Sequence, residues 1–365
     1  MFSSSNKNKG KVVVAMSGGI DSSLSMILLK KEGYEPIGVT FKLVEGSRCC
    51  DLEAVSHAKE VCKRYGISHH VIDVSKEFKK NVINYYLSEL KCGRTPNPCV
   101  ICNRFLKFDQ LFKVAKKFGA KYVATGHYAQ IRLNKLTGFY ELMKSRDTMK
   151  DQSYYLCFLK QSWLGRIIFP VGGYKKEKIY EFAKKEGLNF LVQKKQSQDL
   201  CFVDNKLKNQ FVLKNIKGRN GNIVDKGGNV LGQHSGISNF TIGQRKGLYI
   251  ASGPYFVIDI DTKRNNVIVS KDPEDENLYC NIVKLKKVNF ITWKPKKNIR
   301  VMAKIRYQQP LSRAILEIHK PEFRDDELDN KCVQLKFNKP QRAVTKGQIA
   351  VFYRGRKCLG GGIIR

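Results

Sequence analysis

The chain has 365 residues, enough for two or three domains that each bury a core. Its hydrophobic content of 42% and charged content of 27% are those of a soluble protein, and no apolar run approaches the roughly 20 residues of a membrane helix. The formal charge of +35, from 67 basic and 32 acidic residues, favours a polyanionic partner. A biased genomic composition would also raise the lysine content, so charge alone does not establish nucleic-acid binding.

The N-terminal residues and the cysteines bear on the cellular compartment. Met1 to Gly10 lack the apolar core of a secretory signal, which predicts a cytoplasmic protein with no membrane partner. A very short mitochondrial presequence is the alternative, because this tail is rich in serine and free of acidic residues. Eleven cysteines without an export signal predict reactive or metal-bound thiols rather than a disulfide scaffold.

The first two hundred residues, from Lys11 to about Phe202, alternate between strand and helix patterns. Helical stretches at 52–65 and 108–118 are followed by Gly66 and Gly119, which are well suited to end them. Strands separated by such helices predict an α/β domain with an open parallel sheet. The predicted strands are Val12 to Val14, Ile37 to Phe41, His70 to Val74 and Tyr122 to Thr125.

The stretch Ala15 to Ser23 lies between the first strand and a helix pattern, and it has the composition of a phosphate-binding loop. Gly18 and Gly19 permit a tight turn and close approach of a ligand, while Ser17 and Ser22 add hydroxyls near the first N–H groups of the helix. In open parallel sheets ligands bind at the carboxyl ends of the strands, where this loop falls. Phe41 and Gly126 end or follow other strands and should face the same crevice.

The pattern changes at about Gly218, where glycines become frequent and short strands with tight turns are expected. After Pro273, alternating runs predict the hairpins of a small closed or sandwich β-domain. The predicted domains are therefore residues 1–212, 213–275 and 276–365. The hairpin runs are Val301 to Tyr307, Ala314 to His319, Val333 to Phe337 and Ile349 to Tyr353.

Three cysteines lie in unusual polar surroundings. Cys99 and Cys102 follow Pro96 and Pro98, and Cys102 is expected to open the helix that carries Phe105 to Phe118, where its pKa would be lowered. Cys201 is a third isolated thiol. Redox or sulfur-carrying chemistry fits these thiols best, with structural zinc and buried inert cysteines, such as Cys62 or Cys157, as alternatives.

Long sequence motifs from end to end resemble those of the tRNA-specific 2-thiouridylases, which belong to the pyrophosphatase-loop (PP-loop) ATP-utilising superfamily. The resemblance implies a Rossmann-like domain of the adenine nucleotide alpha hydrolase type, a small central domain that contacts tRNA, and a C-terminal β-barrel. The matching motifs are Ser17 to Ser22, Gly93 to Pro98, Cys102-Asn103, Ala124 to Tyr128, Lys150 to Leu156, Phe169-Pro170, Cys201-Phe202, Phe240 to Gly247, Arg306-Tyr307, Gln341 to Val344 and Gly360 to Ile364.

The resemblance implies that ATP, with Mg²⁺, adenylates O2 of the wobble uridine so that AMP becomes the leaving group. Asp21 would orient the loop or meet the metal. The residues implied to bind ATP are Ala15, Met16, Ser17, Gly18, Gly19, Ile20, Asp21, Ser22, Phe41 and Gly126.

Sulfur would then come from a persulfide on Cys201, charged by a cysteine desulfurase or a sulfur-relay protein, with Cys102 as the partner thiol and a Cys102–Cys201 disulfide as the product. Many members of the family have Asp where this chain has Cys99. An iron–sulfur cluster of the [4Fe-4S] type on Cys99, Cys102 and Cys201 is therefore the alternative to the relay.

The resemblance also assigns contacts with tRNA. Asn97, Pro98 and Cys99 would surround the target base, which must be flipped from the anticodon loop. The remaining tRNA contacts would be His127, Lys150, Asp151, Gln152, Arg306, Tyr307 and Gln341.

Two other classes of protein compete with this interpretation. An amidotransferase-like synthetase or a lysidine-forming tRNA enzyme could share the ATP loop, but neither needs Cys102 and Cys201. A zinc-bearing RNA-binding module would explain the charge and the cysteines, but would leave the ATP loop without a role. Cys49 and Cys50 are assigned a local structural role.

Overall fold

The computed structural model describes residues 8–44, 52–193, 200–203, 207–251, 253–292, 295, 297–319 and 332–365. The chain forms two compact units. The first contains Met1–Val82, Cys99–Asn205 and Arg356–Leu359, and the second contains Ile83–Pro98, Lys206–Gly355 and Gly360–Arg365. No helix among the described residues is both long and apolar enough to span a membrane.

The secondary structure is as follows. The strands are β1 (Lys11–Ala15), β2 (Glu35–Lys42), β3 (His69–Asp73), β4 (Tyr122–Ala124), β5 (Ala129–Leu133), β6 (Tyr140–Lys144), β7 (Ile167–Ile168), β8 (Gly221–Val224), β9 (Val230–His234), β10 (Phe256–Asp261), β11 (Asn266–Ser270), β12 (Tyr279–Phe290), β13 (Ile299–Lys304), β14 (Ser312–His319), β15 (Cys332–Arg342), β16 (Ile349–Arg354) and β17 (Lys357–Ile364). The helices are α1 (Ile20–Lys31), α2 (Leu52–Arg64), α3 (Ser75–Phe78), α4 (Asn84–Lys91), α5 (Pro98–Cys102), α6 (Phe108–Lys117), α7 (Gln161–Leu164), α8 (Lys176–Lys185), α9 (Asn189–Val192) and α10 (Lys208–Asn215). Two π-helical turns cover Lys79–Ile83 and Asn103–Lys107, and 3₁₀ turns cover Ser153–Leu156, Pro170–Gly173, Ile237–Asn239 and Glu276–Leu278.

The first unit is built on a five-stranded parallel sheet in the order β3-β2-β1-β4-β7. All four predicted strands are present, and their bounds differ from the prediction by at most two residues. The strand order reverses between β1 and β4, because β2 lies on one side of β1 and β4 on the other. Such a reversal leaves a crevice at the carboxyl ends of the two strands, where open α/β sheets bind their ligands.

The hydrophobic core of the first unit fixes the position of the carboxyl ends of the strands. Val12, Val13 and Val14 of β1 are completely buried, as expected of a central parallel strand covered on both faces. Helix α1 packs on the sheet with nine of its twelve residues buried. Burial on nearly every side shows that protein surrounds this helix. The loop between β1 and α1 is therefore held at both ends by buried structure.

The second unit contains a four-stranded sheet and a β-barrel. The sheet has the order β10-β11-β8-β9, and it packs on a cluster that includes Val257, Val267 and Phe240. The barrel follows the order β12-β15-β14-β13-β16-β17 and is closed by pairing of β12 with β17, so that Leu285 lies opposite Ile364. The predicted fold class, a parallel α/β domain followed by a central domain and a C-terminal barrel, is confirmed.

The segment before α5 does not pack with the domain in which the sequence-based boundaries place it. Residues 83–98 belong to the second unit, although they lie within the predicted domain 1–212. Thr95 accounts for much of this: its N–H donates to the carbonyl of Lys346 at 2.8 Å, its carbonyl accepts from Gln348 Nε2 at 2.8 Å, and its hydroxyl is 2.9 Å from that of Thr241. The boundaries 1–212, 213–275 and 276–365 stay a prediction.

A buried carboxylate stabilises the β5–β6 hairpin through hydrogen bonds and ion pairs. Glu141 is 1% exposed; Arg132 Nη2 lies 2.7 Å from one of its oxygens, and Asn134 Nδ2 and Lys357 Nζ lie 3.0 Å and 2.5 Å from the other. Burial raises the pKa of Glu141, but the hydrogen bonds from Asn134, Lys357 and Arg132 outweigh burial and hold the pKa at about 2.

We predict that Glu141 stabilises the hairpin most strongly above its unfolded pKa of about 4.5 and loses this effect as the pH falls toward 2. Folding depresses this pKa, so the stabilisation is present when the carboxylate is ionised, and it should amount to about 3 kcal/mol at neutral pH. Thermal unfolding of the wild type and of Glu141→Gln, between pH 7 and pH 3, should give curves that converge in acid. A difference that does not change with pH would contradict this account.

Candidate nucleotide and thiol site

The loop between β1 and α1 has the shape that its glycines require. Gly18 has φ of +68°, and a Cβ atom there would lie 2.2 Å from the carbonyl oxygen of Ala54. A side chain at Gly18 is therefore excluded by both conformation and space. At Gly19 a Cβ atom would meet only Ser17 Oγ, at 3.6 Å, so the loop is open on that side. This opening is where a phosphate could approach the backbone.

The hydroxyl of Ser22 forms hydrogen bonds that stabilise the loop. Ser22 Oγ accepts a hydrogen bond from Ser17 N–H at 3.2 Å and donates to the carbonyl of Gly19 at 2.9 Å. Gly19 is the N-cap residue of α1 and supplies no side-chain cap. The first N–H groups of α1 are therefore left for a ligand, and the positive end of the helix dipole favours an anion there.

The ends of β2 and β4 reach the same loop, as expected for the carboxyl edge of a parallel sheet. A Cβ atom at Gly126, just after β4, would lie 2.8 Å from the backbone N of Ser22, so Gly126 packs directly on the start of α1. In β2, the hydroxyl of Thr40 donates to the carbonyl of Met16 at 2.9 Å, and Phe41 follows it, half-buried. The residues predicted to contact ATP thus form one continuous edge of the sheet.

The side chain of Asp21, in the first turn of α1, is held by two partners. Lys176 Nζ lies 2.6 Å and 2.8 Å from the two carboxylate oxygens, and Tyr128 OH donates to Oδ1 at 2.7 Å. Lys176 is 4% exposed. Burial lowers the pKa of Lys176, and the adjacent Asp21 carboxylate opposes this shift by favouring the charged lysine. Burial and the Asp21 charge raise the pKa of Tyr128, which keeps its hydroxyl a donor.

This ion pair continues into the segment that was predicted to contact tRNA. The backbone N–H of Lys176 donates to Asp147 Oδ2 at 3.0 Å, and Asp147 Oδ1 accepts from the N–H groups of Met149 and Lys150. On the other side, the N–H of Tyr128 donates to Gln152 Oε1 at 2.9 Å. A connected chain of hydrogen bonds therefore joins the ATP loop to residues 147–152.

Lys176 and Tyr128 were not predicted as ligand-binding or positioning residues. The sequence does hold a signal for Lys176, because it stands at the spacing i, i+3 and i+7 with Ile179 and Ala183, which form the buried face of α8. A lysine in an apolar stripe calls for a buried anionic partner. What the sequence does not identify is which carboxylate that partner is.

The helix around the first thiol pair begins earlier than predicted. Helix α5 begins at Pro98, so the expectation that Cys102 opens a helix is wrong: Cys102 ends α5, and the π-helical turn Asn103–Lys107 leads on into α6. Proline is favoured at the first position of a helix, because its missing N–H would have no partner there. Cys99 therefore lies in the first turn, and a π-turn, often associated with functional sites, directly follows Cys102.

The third thiol, Cys201, is half-buried, and its neighbour Phe202 packs edge-to-face on Phe78 with ring centroids 5.6 Å apart. The polar residues Lys194 to Asp199 that precede it, and also Cys49 and Cys50, lie outside the described residues. All eight cysteines whose side chains are described are thiols. Within the described ranges, no three His, Cys, Asp or Glu side chains are grouped so that they could hold a metal ion.

Two other cysteines belong to the core. Cys62 and Cys157 are 0% exposed, and burial raises the pKa of the Cys62 thiol to about 12 and that of Cys157 well above its usual value. Both therefore stay protonated at neutral pH and are poor nucleophiles. The alternative that these two are inert core residues describes them correctly, whereas Cys99, Cys102 and Cys201 retain partial exposure.

The residues predicted to contact tRNA fall into two groups. Asn97, Lys150 and Tyr307 are partly exposed, as are Cys99 and Gln152, whereas Pro98 is buried. The others hold their own loops together: Asp151 accepts from Ser145 and Ser153, Gln341 bonds Gln309 and Lys339, and Arg306 donates to the carbonyl of Ala343 and the hydroxyl of Thr345.

His127 lies beside the ATP loop and is neutral. Its Nδ1 is 2.7 Å from Thr125 Oγ1, and its ring stacks on Phe108 with centroids 6.2 Å apart. Burial, with a contribution from the charge of Lys107, lowers the pKa of His127 well below its usual value. A contact of this ring with tRNA would therefore be a neutral one.

Comparison with known proteins gives three consecutive family matches. A model described as "tRNA methyl transferase HUP domain" matches residues 10–205. Models described as "tRNA methyl transferase PRC-barrel domain" and "Aminomethyltransferase beta-barrel domain" match residues 209–271 and 281–364. The parallel sheet, its glycine-rich loop and the first match together define the N-terminal part as a nucleotide-binding HUP domain.

Curated relatives extend over almost the whole chain. The tRNA-specific 2-thiouridylase MnmA of Clostridium acetobutylicum is 43% identical over 97% of this chain and 99% of its own, and MnmA 2 of Clostridium tetani is 45% identical over 98% and 99%. The chain therefore belongs to the tRNA-specific 2-thiouridylase family. The family and the enzyme class inferred from the sequence motifs, a tRNA sulfurtransferase, are confirmed.

Solved structures give only distant similarity. The U34-tRNA thiolase NcsA from Methanococcus maripaludis with its [4Fe-4S] cluster aligns with a TM-score of 0.36 and 17% identity over 57% of this chain and 66% of that chain. Similarity at this level carries no argument about the site.

We predict that Lys176→Met lowers the rate of ATP consumption at least about tenfold and destabilises the first unit by about 3 kcal/mol, because it leaves the Asp21 carboxylate without its cation. Lys178→Met is the matched control on the same helix, since Lys178 is exposed and forms an ion pair with Glu181 of that helix. The double variant Asp21→Asn/Lys176→Met should regain stability without regaining activity. Measurements of pyrophosphate release and thermal unfolding test this, and a Lys176→Met protein that behaves like the control would refute it.

Proposed function

We propose that this chain catalyses the ATP-dependent 2-thiolation of uridine at the wobble position of tRNA, forming 2-thiouridine, AMP and pyrophosphate. The observation that carries the proposal is family membership over at least 97% of the chain, in a protein that also retains Cys102 and Cys201. The family models carry methyl-transfer names, but methyl transfer would use neither a phosphate loop nor a pair of accessible thiols.

In the first step, O2 of the uridine attacks the α-phosphate of ATP, and pyrophosphate leaves. The N–H groups of Gly19 and Ile20, with the hydroxyls of Ser17 and Ser22, would hold the phosphates at the start of α1. Mg²⁺ would supply charge neutralisation on the departing pyrophosphate. Because Asp21 is already bound by Lys176 and Tyr128, we assign it the role of fixing the loop rather than of holding the metal.

In the second step, the terminal sulfur of a persulfide on Cys201 forms a bond to C2, and AMP leaves. The thiolate of Cys102 attacks Cys201 Sγ, which breaks the sulfur–sulfur bond and leaves 2-thiouridine and a Cys102–Cys201 disulfide. A cellular dithiol then returns both cysteines to thiols by a two-electron reduction. A cysteine desulfurase or sulfur-relay protein is the proposed source of the persulfide.

The iron–sulfur alternative would require Cys99, Cys102 and Cys201 to converge on one cluster. In the described part of the chain these cysteines do not belong to a group of three ligands that could hold a metal ion. Of the two routes we propose the persulfide relay, which uses only Cys102 and Cys201, and we derive no step through a cluster. Cys99 is instead proposed to line the pocket for the flipped base with Asn97 and Pro98, at the start of α5.

The proposed contacts with tRNA lie in both units. In the first unit, Lys150 is held by its hydrogen bond to Asp147, and Gln152 by its hydrogen bond from Tyr128. The proposed tRNA contacts and the ATP loop are therefore positioned by the same hydrogen-bond network. Arg306, Tyr307 and Gln341 are the proposed contacts in the second unit. We place this activity in the cytoplasm, where tRNA and reducing thiols are available.

The decisive experiment is mass spectrometry of unmodified tRNA after reaction with the protein, ATP, Mg²⁺ and a persulfide-generating desulfurase. We expect the wobble uridine to gain the mass that corresponds to replacing oxygen by sulfur, with one AMP formed for each modified base. Gain of a methyl group, or AMP formation without any change in the tRNA, would overturn the proposal.

We predict that Cys102→Ser and Cys201→Ser each lower thiolation by at least about a thousandfold, because in the proposed relay Cys201 carries the sulfur and Cys102 releases it. Adenylation, measured as tRNA-dependent pyrophosphate release, should remain within about a few-fold of wild type, since neither thiol takes part in that step. Cys280→Ser, which changes an exposed thiol outside the site, is the control. Full activity in either variant would contradict the assignment.

A further inference from the structure

The central part of the second unit carries an aromatic side chain in an unfavourable position. Tyr249 exposes 99% of its surface and has φ of +50°, a backbone conformation that bulky residues rarely adopt. Both the exposed ring and the left-handed backbone cost free energy in the isolated protein. Residues kept in such conformations often have a role in binding, provided that the surrounding structure enforces them.

The surrounding structure does enforce this turn. Gln244 holds it from inside, because its side chain accepts from the N–H of Thr241 at 3.0 Å and donates to the carbonyl of Lys246 at 3.0 Å. Its backbone carbonyl accepts from the N–H of Val257 at 3.0 Å, which ties the turn to β10. Leu248, next to the exposed tyrosine, is 7% exposed and packs in the hydrophobic cluster below. The turn is therefore preorganised.

The same turn is strongly basic. Arg245 and Lys246 are exposed, and neither forms an ion pair with a carboxylate in the described ranges. The sequence from Phe240 to Tyr255 contains no Asp or Glu. Two cations and an exposed aromatic ring thus project from one rigid turn. This is the combination by which proteins hold single-stranded nucleic acid, with bases stacked on aromatic rings and phosphates near cations.

We propose that the turn Gln244–Tyr249 is an RNA-binding platform, in which Tyr249 stacks on an unpaired base of tRNA and Arg245 and Lys246 contact the flanking phosphates. The proposal rests on tRNA being the substrate, and it names the side chains by which the central domain, which the family resemblance implies to contact tRNA, would bind it. Charge favours RNA over a protein partner, because the turn offers two uncompensated cations and the chain as a whole carries +35. The rigidity of the turn reduces the entropy lost on binding.

The test uses the full-length protein and fluorescence-labelled unmodified tRNA, with the Kd measured by anisotropy at several salt concentrations. Tyr249→Ala should raise the Kd about fivefold or more, whereas Tyr249→Phe, which keeps the ring, should change it less than about twofold. Arg245→Gln/Lys246→Gln should reduce the slope of log K against log salt by about 1.4, since each cation contacts a single-stranded phosphate.

The matched control is Lys263→Gln/Arg264→Gln, which removes the same charge from the turn at the opposite end of β10, where both side chains are exposed. A wild-type Kd for Tyr249→Ala, or a salt slope for the Arg245/Lys246 variant equal to that of the control, would overturn the proposal. An effect of Tyr249→Ala confined to the KM for the desulfurase would also overturn it, in favour of a protein contact.

Failure of this proposal is distinguishable from failure of the proposed function. Binding of tRNA is measured without turnover, so a chain that binds tRNA through this turn but forms no 2-thiouridine would refute only the reaction. A chain that thiolates tRNA normally after Tyr249→Ala, with unchanged Kd, would refute only the platform.

Discussion

The ion pair between Asp21 and Lys176 is the interaction on which the site depends. A lysine that is 4% exposed must have an anionic partner, and the carboxylate that provides it belongs to the first turn of α1, directly beside the glycine-rich loop. The free-energy cost of burying these charges is offset only while Lys176 Nζ contacts both carboxylate oxygens of Asp21 and Tyr128 OH donates to one of them. The pair thus fixes the first turn of α1, the helix that directly follows the glycine-rich loop.

The same ion pair also connects the ATP loop with the segment that is proposed to contact tRNA. The backbone at Lys176 binds Asp147, whose other oxygen orders the N–H groups of Met149 and Lys150. Tyr128 is fixed in turn by Gln152. A displacement of the ATP loop would therefore disturb the segment proposed to contact tRNA, which is a physical route by which adenylation could depend on bound substrate.

Helix α5 shows where local patterns mislead. The sequence predicted a helix that opens at Cys102, yet the helix begins at Pro98, since proline is favoured at the first position of a helix. The position of Thr95 could not be predicted from the sequence for a different reason. Its hydrogen bonds to Lys346, Gln348 and Thr241 place the segment 83–98 in the second unit, and contacts across such sequence distances leave no periodic signal.

The sequence by itself determined the family, the parallel sheet, the barrel and the position of the ATP loop, because apolar periodicity and long motifs are local properties of the chain. Only the tertiary structure decided that Asp21 is paired with Lys176, 155 positions away. It also decided that Tyr249 is exposed on a rigid turn. Both outcomes depend on which side chains meet in space, and a buried charge or an exposed ring is defined by its neighbours rather than by its place in the sequence.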